Sequence, residues 1–137
     1  MIIYAYYGLG KSTLTKAYPD KFIDIDEEYI VPQFAFDTPA VTNYINEQSK
    51  DKIALINGCL FLSENINVDI AFIPENFDMV EERLYKRDDV NYWFMQTVTE
   101  QFDDIIKAIK TKCKNVITLS EDEYLSQYAD VLLRNYK

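Results

Sequence analysis

Apolar residues along this chain gather into five short runs, at residues 2–6, 22–26, 52–57, 68–73 and 115–119. Each run is closed by a glycine, a proline or a cluster of acids, the punctuation expected at strand ends. The second run, Phe22-Ile23-Asp24-Ile25-Asp26, alternates apolar and acidic residues and predicts a strand that runs off its end into carboxylates. Between the runs the apolar spacing turns helical. Residues 11–18 predict a short helix ended by Pro19-Asp20, and Thr38 before Pro39 predicts the N-cap and first position of a helix to about residue 48. A short helical turn is expected at 60–64, and residues 27–37 read as irregular around Pro32. Residues 77–87 form an amphipathic, highly charged pattern, interrupted at Asp88-Asp89-Val90-Asn91 and followed by a longer helix to about residue 112. Its stripe of Phe94, Val98, Phe102, Ile105, Ile106 and Ile109 has helical spacing and is assigned to core packing. Ser120-Glu121-Asp122-Glu123 reads as a capping box that opens a final helix through Leu132 and Leu133.

Strands alternating with helices predict one α/β domain over residues 1–137, built on a parallel sheet. Ligands of such sheets bind beyond the carboxyl ends of the strands. The residues just after each run are therefore the candidates: the loop after the first, Asp24 and Asp26 at the second, Asn57-Gly58 at the third.

That first loop carries the sharpest chemistry. Residues 2–13 read IIYAYYGLGKST, an apolar run that breaks into glycines and opens directly into a helix. This is the strand–loop–helix setting of a phosphate-binding P-loop, G-x-x-x-x-G-K-[ST], with Ala5 in place of the first glycine. The chain has only three glycines, and Gly8 and Gly10 both fall here. Glycine lets backbone N–H groups approach anionic oxygens closely. Gly8, Leu9, Gly10, Lys11, Ser12 and Thr13 form the candidate nucleotide-binding set. Lys11 supplies a mobile charge for the β- and γ-phosphates, and Ser12 a hydroxyl for Mg²⁺.

Composition narrows the partners. A net charge of −9 argues against nucleic acid, whose binding needs basic stripes. Histidine is absent, and Cys59 and Cys113 stand alone without CxxC spacing, which argues against zinc and histidine-based catalysis. No signal peptide or long apolar span is evident, so a cytoplasmic setting with reduced thiols and no membrane contact is expected. An acidic protein that binds an anion must concentrate its cations, so its three arginines are informative. Arg83 and Arg87 are four apart on one helical face, with Lys86 beside them, and suit the charge spread over phosphoryl oxygens. The competing reading is a solvated helix face paired with Glu81 and Glu82. Asp24 and Asp26 share one side of their strand. Such a pair can hold hydrated Mg²⁺ and orient or deprotonate an acceptor hydroxyl, or it can simply be a polar strand end continuous with Glu27 and Glu28.

The series of P-loop, FIDID, a strand ending in ING, and VDIAFIPENFDMVEERLYKRD resembles the P-loop small-molecule and nucleoside monophosphate kinases. GLGKST followed by FIDID is similar to shikimate- and gluconate-type kinases, whereas residues 68–87 look more like adenylate kinases. The resemblance implies a three-layer fold with a five-stranded parallel sheet in order 2-3-1-4-5. It further implies that Lys11 and Ser12 bind ATP phosphates and magnesium, that Asp24 and Asp26 serve metal or acceptor, and that Arg83 and Arg87 face the nucleotide and the transferred phosphate. The chain departs from the family in three ways: residues 88–91 alone stand where a lid belongs, Asn57 replaces an aspartate, and no arginine precedes residue 83. The reduced lid and cation set resemble minimal nucleotide kinases of the kind phages encode.

The leading expectation is an ATP- and Mg²⁺-dependent kinase in which Lys11, Asp26, Arg83 and Arg87 carry catalysis and Ser12 and Asp24 hold the metal. Its acceptor would be a nucleotide or similar small metabolite. A second expectation is a nucleotide-binding protein with little turnover that acts through a partner or sequesters its ligand, suited by exposed tyrosines near the loop (Tyr4, Tyr6, Tyr7). A polynucleotide 5′-kinase fits the loop and the aspartates but conflicts with the charge.

Overall fold

The computed structural model describes residues 1–25, 38–57, 66–86 and 92–135. Five strands alternate with helices: β1 (Ile2–Ala5), α1 (Lys11–Ala17), β2 (Phe22–Asp24), α2 (Thr38–Asp51), β3 (Ile53–Ile56), β4 (Ile70–Pro74), α3 (Phe77–Tyr85), α4 (Tyr92–Lys112), β5 (Val116–Leu119) and α5 (Ala129–Asn135), the last preceded by a 3₁₀ turn at Leu125–Tyr128. The sheet order is β2-β3-β1-β4-β5, and every pairing is parallel. This is the 2-3-1-4-5 order that the sequence resemblance implies.

Burial explains why the central strands read as unbroken apolar runs. Every residue of β1 and β3 is buried, which requires cover on both faces of the sheet. At the edge, β5 keeps only Leu119 fully buried and leaves Thr118 exposed. The apolar stripe of α4 packs inward as expected, with Val98 and Ile109 buried and Phe94, Phe102, Ile105 and Ile106 against the core. Asn76 caps α3 by accepting the Met79 N–H at 3.0 Å on its side-chain oxygen.

Several boundaries depart from the sequence reading. β4 does not stop before Pro74, because Glu75 N–H continues the ladder by donating to Leu119 O at 2.9 Å. Ser120–Glu123 forms a turn rather than the start of a helix. Glu123 reaches back to accept the Ser120 N–H at 2.9 Å while its own N–H donates to Ser120 O at 3.0 Å, and helical structure begins only at Leu125. The tyrosines near the loop are not a surface patch: Tyr4 and Tyr6 are fully buried, and only Tyr7 is partly open. Cys113 is free and buried, and burial pushes its thiol pKa up despite neighbouring Lys112. Cys59, Gly58, the helical turn expected at 60–64 and the stub at 88–91 lie outside the described residues. No helix among the described residues is long and apolar enough to cross a membrane.

Candidate phosphate-binding site

Because β1 is the middle strand, its carboxyl end opens between β3 and β4, and the loop that follows occupies the centre of that edge. Ala5, which replaces the motif's first glycine, is a fully buried strand residue paired with Phe72, so its Cβ belongs to the core and not to the loop. Tyr6 N–H extends the ladder one step further, donating to Phe72 O at 3.2 Å. Beyond it the backbone turns sharply, with φ of +79° at Gly8 and +98° at Gly10. L side chains rarely adopt such values, so both glycines are conformational requirements of this loop. Gly10 immediately precedes α1, and its carbonyl accepts the Leu14 N–H at 3.1 Å. Leu9, between the glycines, is 1% exposed and pins the loop to the core.

Lys11 and Ser12 open α1 half-exposed, and Thr13 is exposed. The Lys11 ammonium lies 5.8 Å from the Tyr7 ring centre. Tyr7 in turn meets Phe94 of α4 edge-on at 5.2 Å, so aromatic residues line one flank of the loop. Asp24, the last residue of β2, is only 4% exposed, and Asn57, just after β3, is 6% exposed. Both are polar side chains held at the carboxyl edge of the sheet that carries the loop, where the sequence reading expected them. Asp26 and Arg87 lie outside the described residues.

Arg83 sits beside the loop but spends its donors on backbone. Nη1 donates to Gly8 O at 3.0 Å, and Nη2 donates to Glu121 O at 2.7 Å and Glu123 O at 2.8 Å. Its guanidinium also lies over the Tyr124 ring, 3.9 Å from the centroid. The surface pairing expected from its helix goes instead to Lys86, which meets Glu82 at 3.2 Å. Between α3 and the turn after β5 runs a shallow groove of about 200 Å³, lined by Met79, Glu82, Arg83, Lys86, Glu121, Asp122 and Tyr124. Tyr124 and the carbonyls of the 121–123 turn were invisible to sequence reasoning. The capping-box pattern pointed to a helix there, and a backbone carbonyl has no residue signature. Within that turn the Ser120 N–H, helped by the Ser120 hydroxyl and Tyr128, holds the Glu123 carboxyl below the usual carboxylate range.

The Tyr6 hydroxyl is buried with no hydrogen-bond partner among the described residues, its ring wedged edge-on against Tyr7 at 5.2 Å and Phe102 at 5.5 Å. Burial, reinforced by Tyr7, raises its pKa well above the usual phenol value, so it stays neutral. An unsatisfied buried hydroxyl is costly. Tyr6→Phe is therefore expected to hold or raise stability, by up to about 1 kcal/mol, in a denaturant titration.

No family model matches the chain, and no curated protein matches it in sequence. Solved structures do. Shikimate kinase from Bacteroides thetaiotaomicron superposes with a TM-score of 0.58 at 15% identity, covering 97% of this chain and 95% of that one. Shikimate kinase from Aquifex aeolicus gives 0.54 at 13%, covering 98% and 94%. The SH3-kinase fragment of tight junction protein 3 gives 0.54 at 16%, covering 96% of this chain and 54% of that one. Together with the strand order and the loop, these matches define a P-loop kinase fold.

Proposed function

We propose that this chain binds the phosphates of ATP with Mg²⁺ and transfers a phosphoryl group to a small acceptor, a nucleoside monophosphate or a similar hydroxylated or phosphorylated metabolite. The observation that carries the reading is the loop itself: two positive-φ glycines at the centre of the sheet's carboxyl edge, leading straight into Lys11 and Ser12. A phosphate fits this loop because the glycines allow close backbone approach and Lys11 adds charge. Mg²⁺ fits as well. It keeps several waters and needs only one or two carboxylates besides phosphate oxygens, a role open to the Ser12 hydroxyl and Asp24. When bound, the metal neutralises charge on the phosphates. Asp26 is proposed to orient the acceptor hydroxyl, and Arg87 to meet charge that develops on the transferred group.

A screen of nucleosides, monophosphates and small hydroxylated metabolites for acceptor-dependent ADP release tests the proposal. Release that rises with one acceptor class supports it, and saturable ATP binding with no release for any acceptor contradicts it. The engagement of Arg83 with backbone carbonyls favours a second reading, a nucleotide-binding protein with little turnover, since it removes one expected cation from the reacting phosphate.

Asp24→Asn is expected to raise the Mg²⁺ concentration needed for half-maximal activity, and to leave the maximal rate closer to wild type than Asp26→Asn does. Asparagine matches aspartate in shape, so the 4%-exposed site should stay packed. Activity titrated against Mg²⁺, with melting curves alongside, checks both points.

A further inference from the structure

The contacts around the loop converge on three consecutive residues. Gly8 O accepts from Arg83 Nη1 at 3.0 Å, and Leu9 O accepts from the Leu125 N–H at 3.0 Å. Gly10 faces the Tyr124 ring so closely that a Cβ there would stand 3.5 Å from Tyr124 Cδ1. Arg83 is itself fixed by Glu121 O, Glu123 O and the same Tyr124 ring. The turn after β5 and the α3 arginine thus form one brace against the loop.

A trans peptide points its N–H opposite to its C=O. Holding the Gly8 carbonyl toward Arg83 therefore turns the Leu9 N–H away from Arg83. Holding the Leu9 carbonyl toward Leu125 likewise turns the Gly10 N–H away from Leu125. Glycine-flanked peptides are the ones most free to flip, because neither Gly8 nor Gly10 has a Cβ to restrict it. We infer that Arg83 is a positioning residue that locks the Gly8–Leu9 peptide with its N–H toward the phosphate side, with the Leu9–Gly10 peptide locked in parallel by Leu125. The inference deepens the phosphate-site reading and rests on it. It replaces direct contact between Arg83 and the transferred phosphate with an indirect role. The guanidinium also polarises the peptide it holds, since a charged donor at a carbonyl oxygen draws electron density from the attached N–H.

The test compares Arg83→Met, which keeps the aliphatic stem, and Arg83→Lys, which keeps the charge but cannot bridge three carbonyls. Amide hydrogen exchange is measured on each, together with the dissociation constants of ATP·Mg²⁺ and inorganic tripolyphosphate. Both variants are expected to exchange the Leu125 amide, which donates to Leu9 O at 3.0 Å, at least about tenfold faster while Ile3 and Tyr4 in β1 stay protected, because Arg83 ties the turn that carries Leu125 to the loop. Arg83→Met should weaken tripolyphosphate and ATP by the same factor, roughly tenfold, with Arg83→Lys recovering part of the loss. Unchanged exchange at Leu125 in either variant overturns the brace, as does a rise spread evenly over the sheet in both. A fall in turnover with both dissociation constants unchanged also overturns it and returns Arg83 to the reacting phosphate. If the wild type binds neither ligand, the phosphate reading falls, and the exchange data still decide the brace.

Discussion

Lys11→Met is expected to cut phosphoryl transfer by about 10²–10³-fold, the usual cost of removing one charged group aimed at developing negative charge. Methionine keeps the unbranched apolar stem of lysine up to its ammonium, so packing beside the Tyr7 ring is retained while the ammonium that now lies 5.8 Å from its centre is lost. The fold should tolerate the change, because Lys11 is only partly buried at the start of α1 and takes no part in the core. ATP·Mg²⁺ binding should weaken as well, since the charge acts on bound phosphates before transfer as well as during it. Steady-state kinetics, calorimetric titration and a melting curve together separate these effects. A melting point near wild type with kinetics also near wild type would return Lys11 to an ordinary surface lysine.

Gly10→Ala is expected to damage the site through the backbone. At φ +98° an alanine pays a left-handed penalty of about 1–2 kcal/mol, before any neighbour is considered. Its methyl would meet Tyr124 only at an ordinary contact distance of 3.5 Å, so the strain lies in the backbone and is relieved by rotating it toward negative φ. That rotation swings the Gly10 carbonyl, which accepts from Leu14, and carries Lys11 with it. The variant should lose stability by roughly that 1–2 kcal/mol and bind ATP·Mg²⁺ at least about tenfold more weakly. Gly8→Ala should behave in the same direction, at φ +79° and with Arg83 Cβ 3.6 Å away. Denaturant midpoints and binding isotherms check both, and loss of binding without loss of stability would point to a flexible loop instead.

The sheet was legible because a parallel strand buried on both faces must be apolar at nearly every position, and β1 and β3 are. The loop was legible because its glycine spacing is set by backbone geometry, so Gly8 and Gly10 announce their positive φ in the sequence. Arg83 shows where such reading stops. An arginine four residues from another on a charged helix has the same pattern whether it meets phosphate, a glutamate or backbone carbonyls. Only the packing of α3 against the turn after β5 decides, and that turn carries no signature because its acceptors are carbonyls. Ser120–Glu123 shows a second limit. Glu123 does reach back to Ser120 as the capping box requires, yet the same hydrogen bond also closes an isolated turn. Tyr4 and Tyr6 show a third, since a tyrosine beside a loop reads as surface while here both rings fill the core.

The most direct test of the phosphate site is a titration of ATP·Mg²⁺ into isotopically labelled protein, followed by backbone amide chemical shifts. The account predicts saturable shifts concentrated at Gly8, Leu9, Gly10, Lys11 and Ser12, reproduced by inorganic tripolyphosphate and absent with adenosine alone. Shifts that saturate elsewhere on the molecule, or none at these amides at millimolar ligand, would contradict it.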